Sequence, residues 1–289
     1  MSTTTTPSRQ IADVDVFPIG LGGMPLSLQG RPDEEQAVRT IHAALAAGIT
    51  FIDTADAYAP DGDHIGHNER LIAKALRGRR DGVLVATKGV HTREGTDWGL
   101  DGRPEHVREA CEASLRALET DVIDLYQFHR PDPNVPFAET VGAFKELQDE
   151  GKVRHVGLSN VTVAQLEEAE AIVGIVSVQN QLALNFTSPL AKGEVQAATD
   201  RSIAFLPWSP LGGIGRADET NAVDAVQEIA DGHGVSPQQV ALAWLLHLGP
   251  TVIPIPGARR PETIQDSARA ATLELSDDEV ATITAAATG

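Results

Sequence analysis

DEEQAVRTIHAALAAGITFIDTADAY, residues 33–58, contains a complete helix-to-strand unit. Asp33–Ala47 carries apolar residues at helical spacing and stops at Gly48, a residue suited to the left-handed end of a helix. Thr50–Asp53 is then a short, β-rich apolar run that ends on a carboxylate. The same alternation runs along the rest of the chain. Strand candidates are Phe17–Gly20, Thr50–Asp53, Val83–Lys88, Leu125–His129, His155–Ser159, Val176–Asn180, Ile203–Trp208 and Val252–Ile255. Most are continuous apolar stretches, as expected of strands covered on both faces.

Helical patterns fill the gaps. Asn68–Leu76 follows the second strand, and Pro104 opens a helix through Leu118. Phe137–Glu150 ends at Gly151. Thr162–Ala171 begins on a capping threonine. Gln238–His247 starts after Ser236-Pro237, Pro261–Ala270 follows the eighth strand, and Asp277–Ala286 follows a Ser276 cap. Eight strand–helix units without a second composition regime predict an α/β fold, a (β/α)8 TIM barrel, over residues 11–289; an open doubly wound sheet is the alternative. Residues 1–10, MSTTTTPSRQ, read as a disordered leader.

A chain of 289 residues is long enough to bury a large core in one barrel. Its formal charge of -18 is spread along the sequence and disfavours nucleic acid as a partner. The single cysteine, Cys111, excludes an intrachain disulfide and fits a reducing, cytoplasmic compartment. No apolar run reaches the ~18 residues that a membrane span needs.

Barrels of this kind carry their chemistry at the C-terminal ends of the strands. Asp53, Lys88 and His129 end the second, third and fourth strands, and Tyr58 follows Asp53 by five residues. A free phenol has a pKa near ~10 and is a poor acid at neutral pH. An ammonium at Lys88 would stabilise its phenolate and lower that pKa, with Asp53 holding the lysine. His129 would hydrogen-bond a carbonyl oxygen. A proton donor beside a carbonyl suits reduction, and the hydride must come from a cofactor.

With these residues the sequence resembles the aldo-keto reductase superfamily. The matching pieces are IGLGGM, FIDTADAY, GHNERLIAKAL, VLVATKG, LYQFHRP, GKVRHVGLSN, VQNQ, LPWSPLGG and IPIPGARRPETIQDS, in family order from about Phe17 to Ser267. The resemblance implies a catalytic tetrad of Asp53, Tyr58, Lys88 and His129, and hydride transfer from NADP(H), with NAD(H) as the alternative cofactor. It implies that Ser159, Asn160 and Gln179 bind the nicotinamide carboxamide and that Gly22 and Met24 lie near the same end. Trp208 stands where most better-studied members carry a stacking tyrosine, and indole offers the larger π surface. Backbone at Ser209, Pro210, Leu211 and Gly213 would approach the pyrophosphate.

The resemblance further implies that Arg259 and Arg260 grip a 2′-phosphate, whose oxygens a guanidinium fork matches. The chain departs from the common pattern at Ile255, where a lysine often sits, and at Asp266-Ser267, where Glu-Asn commonly meets the adenine. Trp98, in the loop 91–103, is a candidate for the substrate pocket. The expected partner is a small aldehyde or ketone; a cofactor-binding auxiliary protein with little turnover is the alternative.

Three other patterns carry no chemistry. Gly20-Leu21-Gly22-Gly23 lacks the third glycine and the immediate helix of a dinucleotide fingerprint. His64 and His67 lack HExxH order and a third metal ligand. Ser209 lies in WSPLGG rather than in a GxSxG nucleophile turn.

Overall fold

A computed structural model describes residues 7–213 and 224–288. The first described elements are β1 (Arg9–Ile11) and β2 (Val14–Val16), an antiparallel hairpin. Then come β3 (Leu21–Gly22), β4 (Phe51–Asp53) and β5 (Leu84–Gly89). A second hairpin, β6 (His91–Glu94) with β7 (Asp97–Leu100), follows β5. The chain continues through β8 (Ile123–Phe128), β9 (Val153–Ser159), β10 (Ile175–Gln179) and β11 (Ala204–Phe205). Seven strands form one parallel sheet in the order β11-β10-β9-β8-β5-β4-β3.

Residues 252–257 close this sheet into a barrel. Ile253 and Ile255 donate backbone bonds to Phe205 and Pro207 at 2.8 and 3.2 Å, while Pro254 and Pro256 accept from Gly20 and Gly22 at 2.9 and 3.0 Å. The two prolines have no N–H to return, so half of the ladder toward β3 is missing. The expected eighth strand, Val252–Ile255, is therefore held by bridges rather than by a regular ladder. The expected strands Phe17–Gly20 and Ile203–Trp208 likewise shrink or shift to Leu21–Gly22 and Ala204–Phe205, beside Pro18 and Pro207. The architecture is the (β/α)8 barrel that the alternation predicts.

The helices match more closely. Glu34–Ala46 starts on Asp33, which accepts from the Gln36 amide at 2.7 Å, and Val163–Glu170 carries a Thr162/Gln165 capping box. Among the described residues three α-helices have no counterpart among the expected elements, namely Ser188–Ala191, Glu194–Asp200 and Asp224–His233. Glu194–Asp200 has seven residues, too few for its periodicity to stand out, and Asp224–His233 turns only Val226 and Ala230 fully inward. Among the described residues no helix is long and apolar enough to cross a membrane.

Alternation along each strand sorts side chains between two cores. Phe51, Leu84, Ala86, Leu125, Ala204, Leu206, Ile253 and Ile255 fill the barrel's lumen, with Ile11 and Val16 of the hairpin at its floor. Neighbours of opposite parity, such as Ile52, Val85 and Tyr126, pack outward against the helices. The leader assignment to residues 1–10 is corrected here, since Arg9 and Gln10 are ordered in β1. Arg9 donates to the carbonyls of Leu246 at 2.6 Å, Gly249 at 2.7 Å and Val252, which ties the hairpin to the barrel floor. Residues 1–6 lie outside the described residues.

The lumen is full at Gly157. A Cβ there would sit 2.2 Å from Ser177 Oγ and 3.1 Å from Gln127 Cγ. Gly157→Ala is expected to lower the urea midpoint by an amount worth about 1–3 kcal/mol, the usual cost of overpacking. An unchanged midpoint in equilibrium unfolding would show that the lumen has slack.

Candidate active site

The inward parity that fills the lumen below also delivers the polar residues above. Asp53 follows Phe51 on β4, Lys88 follows Leu84 and Ala86 on β5, and Gln127 and His129 follow Leu125 on and just after β8. All end at the C-terminal rim. Lys88 has no exposed surface and spends each of its three ammonium protons. They reach Asp53 Oδ2 at 2.6 Å, the Thr54 carbonyl at 2.7 Å and Tyr58 Oη at 3.2 Å. The other Asp53 oxygen accepts from Gln127 at 3.1 Å and Gln179 at 2.7 Å.

Because Lys88 donates to Tyr58, the phenol's own proton remains free to point elsewhere. The tyrosine departs from expectation in one respect. Burial raises its pKa, and the Lys88 charge offsets that rise without reversing it. Tyr58 is therefore a neutral phenol, able to give a proton. Burial also pulls on Lys88, toward the uncharged amine, but Asp53 and Tyr58 outweigh it and hold the ammonium above its ordinary pKa. His129 is held well below the ordinary histidine range by burial first and by Lys88 second, so its ring is neutral. Its Nδ1 is buried without a partner among the described residues, leaving Nε2 for a ligand.

Tyr58 and His129 open into a cavity of ≈ 690 Å³, within the usual size range of ligand sites. Gly22, Met24, Ser159, Asn160 and Gln179 line it beside them, as does Trp208. Asn160 adopts a left-handed φ of 59° and donates to the His129 carbonyl at 3.0 Å, coupling the two rim segments. Ser209, Pro210, Leu211 and Gly213 continue the wall, where Ser209 has a φ of 50° and accepts from the Gly212 amide at 2.9 Å. Arg259 and Arg260 line the far end, just before the helix Pro261–Arg269. Trp98 lies at the mouth, 44% exposed, with Arg93 4.2 Å from its ring centre.

Asp266 is not brought to this cavity. Its carboxylate accepts from Ser236 at 2.6 Å and Gln239 at 2.6 Å, and so anchors the start of the helix Pro237–His247. Thr263, one turn earlier, lines the cavity instead. Sequence reasoning also missed Gln127, Thr54 and His91. Gln127 had a signal, since it lies two residues before His129 and must share its face. Thr54 acts through its backbone, for which side-chain chemistry gives none. His91 was hidden in a hairpin that reads as loop.

Residues 18–288 match the model of the aldo/keto reductase family. The chain belongs to that family. An uncharacterised oxidoreductase of Schizosaccharomyces pombe, C215.11c, is 34% identical over 274 residues, 93% of this chain and 86% of the relative. A probable aldo-keto reductase 1 of Glycine max is 33% identical over 296 residues, 92% of this chain and 84% of the relative. Among solved structures, the glycerol dehydrogenase of Gluconobacter oxydans superposes with a TM-score of 0.84 at 26% identity, covering 98% and 95% of the two chains. An aldo-keto reductase of Klebsiella pneumoniae in complex with NADPH gives 0.81 at 27% identity, covering 98% and 95%. This aldo/keto reductase is thus an oxidoreductase by family.

It has only two tyrosines, Tyr58 and Tyr126, and burial raises the pKa of both. In the unfolded chain both phenols titrate near ~10. The fold holds their protons more tightly, so its stability falls as pH rises through that value. Phenolate absorbance of the native protein should lag behind that of the chain in denaturant during alkaline titration. Phenolate appearing in the native protein below pH ~10 would contradict the burial argument.

Proposed function

We propose that this aldo/keto reductase is an NADP(H)-dependent carbonyl reductase that converts small aldehydes and ketones to alcohols. The observation that carries the reading is Tyr58 Oη, which accepts from Lys88 at 3.2 Å while its own proton is free beside the cavity. A bound dihydronicotinamide supplies the hydride, which no side chain can.

Tyr58 protonates the carbonyl oxygen as it gains negative charge. Lys88, already donating to the phenol oxygen, stabilises the phenolate left behind. Asp53 keeps Lys88 charged and fixes its position, and is itself fixed by Gln127 and Gln179. Neutral His129 donates from Nε2 to the same carbonyl oxygen and sets its direction. A neutral imidazole is the better partner here, because an imidazolium beside Lys88 would compete for the same charge.

The cavity fits a dinucleotide in size and in its donor set. Side chains of Ser159, Asn160 and Gln179 suit a carboxamide, Trp208 offers a flat face, and Ser209–Gly213 gives the turn for a pyrophosphate. The indole Nε1 of Trp208 is buried without a partner among the described residues, a polar edge that a ligand's oxygen would satisfy. Arg259 and Arg260 lie at the N-terminus of a nine-residue helix, whose dipole adds to their attraction for a phosphate. Trp98 walls the substrate end.

Tyr58→Phe removes the proton donor and leaves the cavity's shape. It is expected to cut NADPH-linked reduction of 4-nitrobenzaldehyde on the order of 10²- to 10⁴-fold while NADPH binding persists by fluorescence titration. Near-full turnover would end the assignment. Arg260→Ala should weaken NADPH binding roughly 10-fold, the scale of one lost charge-assisted bond, and leave NADH binding unaltered. Equal loss for both coenzymes would remove Arg260 from phosphate recognition.

A further inference from the structure

Four rings around the mouth of the cavity form a closed circuit. Tyr58 meets His129 at 5.7 Å between ring centres, His129 meets His91 at 4.3 Å, His91 meets Trp98 at 5.3 Å, and Trp98 returns to Tyr58 at 6.5 Å. Every contact is edge-to-face, with interplanar angles of 79°, 85°, 82° and 71°. This is a favoured geometry for aromatic pairs. The closest contact is the one between the two histidines.

His129 needs such support. It follows β8 directly, its Nδ1 has no partner among the described residues, and no hydrogen bond therefore holds the ring from behind. A catalytic or metal-binding imidazole is ordinarily oriented by a bond at its second nitrogen. Here packing replaces that bond. His91 is itself well fixed, because its Nδ1 donates to the Gly99 carbonyl across the hairpin at 3.0 Å. The hairpin in turn is tied to the segment carrying Tyr58. Arg93 donates to the carbonyls of Ala57 at 3.2 Å and Ala59 at 3.0 Å, and stacks on Trp98.

We propose that His91 is a positioning residue, whose imidazole fixes the plane of the His129 ring and so the direction in which that ring meets a substrate carbonyl. The proposal rests on the reading of His129 as the group that orients the carbonyl. His91 acts through packing against His129, and the hairpin β6–β7 is the frame that delivers it. Loss of the His91 ring frees His129 to rotate, which degrades the geometry of reaction more than the binding of cofactor.

The test measures kcat and KM for 4-nitrobenzaldehyde, and NADPH affinity by fluorescence, on the full chain. The variants are His91→Ala, His91→Phe, His91→Gln, His129→Ala and the double variant His91→Ala/His129→Ala. His91→Ala should lower kcat on the order of 10- to 100-fold, the scale of a misplaced catalytic group, with NADPH affinity kept. His91→Phe keeps a ring and should recover most of that loss. His91→Gln keeps a donor for Gly99 without a ring and should not, and this pair decides the matter even where the alanine variant fails to fold. In the His129→Ala background, His91→Ala should change kcat little, because its effect runs through the missing ring. Wild-type kcat in His91→Ala or His91→Gln with a slow His129→Ala would overturn the proposal alone. So would an undiminished His91→Ala effect in the double variant, which would mean direct contact with substrate. Wild-type turnover in His129→Ala would instead overturn the reading of His129, and this inference with it.

Discussion

The site is organised around the buried ion pair between Lys88 and Asp53. Neither side chain reaches solvent to a meaningful degree, so each ion has lost most of its hydration. Such a pair is tolerable only if every remaining proton and lone pair finds a partner. The barrel meets that condition with Thr54, Tyr58, Gln127 and Gln179, drawn from β8 and β10 and from the segment after β4. The pair therefore belongs to the rim as a whole. A strand displaced by one residue would turn one member outward and strand a charge in an apolar core.

This constraint also explains the protonation states around it. Lys88 stays charged because Asp53 is near, and that fixed positive charge helps to hold His129 neutral. Burial keeps Tyr58 a phenol despite the ammonium at its oxygen. The lysine thus lowers the cost of a phenolate at Tyr58 without creating phenolate at rest. The expectation that Lys88 would bring the resting pKa down took account of the charge and not of the burial, which only the folded cavity supplies.

What could be read from the sequence follows from how local each signal is. Helices such as Pro104–Leu118 begin and end where their proline, caps and periodicity lie, and the structure returns them nearly unchanged. The shared rim position of Asp53, Lys88 and His129 was legible because strand ends are marked by a change from apolar to polar residues, as at Ile52-Asp53 and Phe128-His129. The hairpin His91–Leu100 was not, because its strands HTRE and DWGL are polar and half exposed and lack an apolar alternation. Arg9 was misread for a related reason. Its partners are carbonyls near residues 246–252, and no pattern within ten residues of a chain end reports a contact across 240. Asp266 shows the limit of family correspondence, since its position was matched but its carboxylate is committed to Ser236 and Gln239.

The irregular closure of the barrel has the same cause as its cavity. Regular parallel strands would cover the seam between β11 and β3 with hydrogen bonds and side chains. Instead Pro254 and Pro256 withhold two donors there, and Gly22 withholds a side chain, since a Cβ would lie 2.7 Å from the Ile255 carbonyl. The seam carries only bridges as a result, and Gly22, Ile255 and Pro256 become cavity wall. Local sequence preferences and global fold disagree at this one side of an otherwise consistent barrel, which is where a ligand-binding surface is expected to depart from the rules of packing. Below the seam Arg9 donates to the carbonyls of Leu246, Gly249 and Val252 and fastens the segment that leads into it. The hairpin β1–β2 and the cavity are thus two ends of one arrangement, the floor fastened so that the rim can stay open.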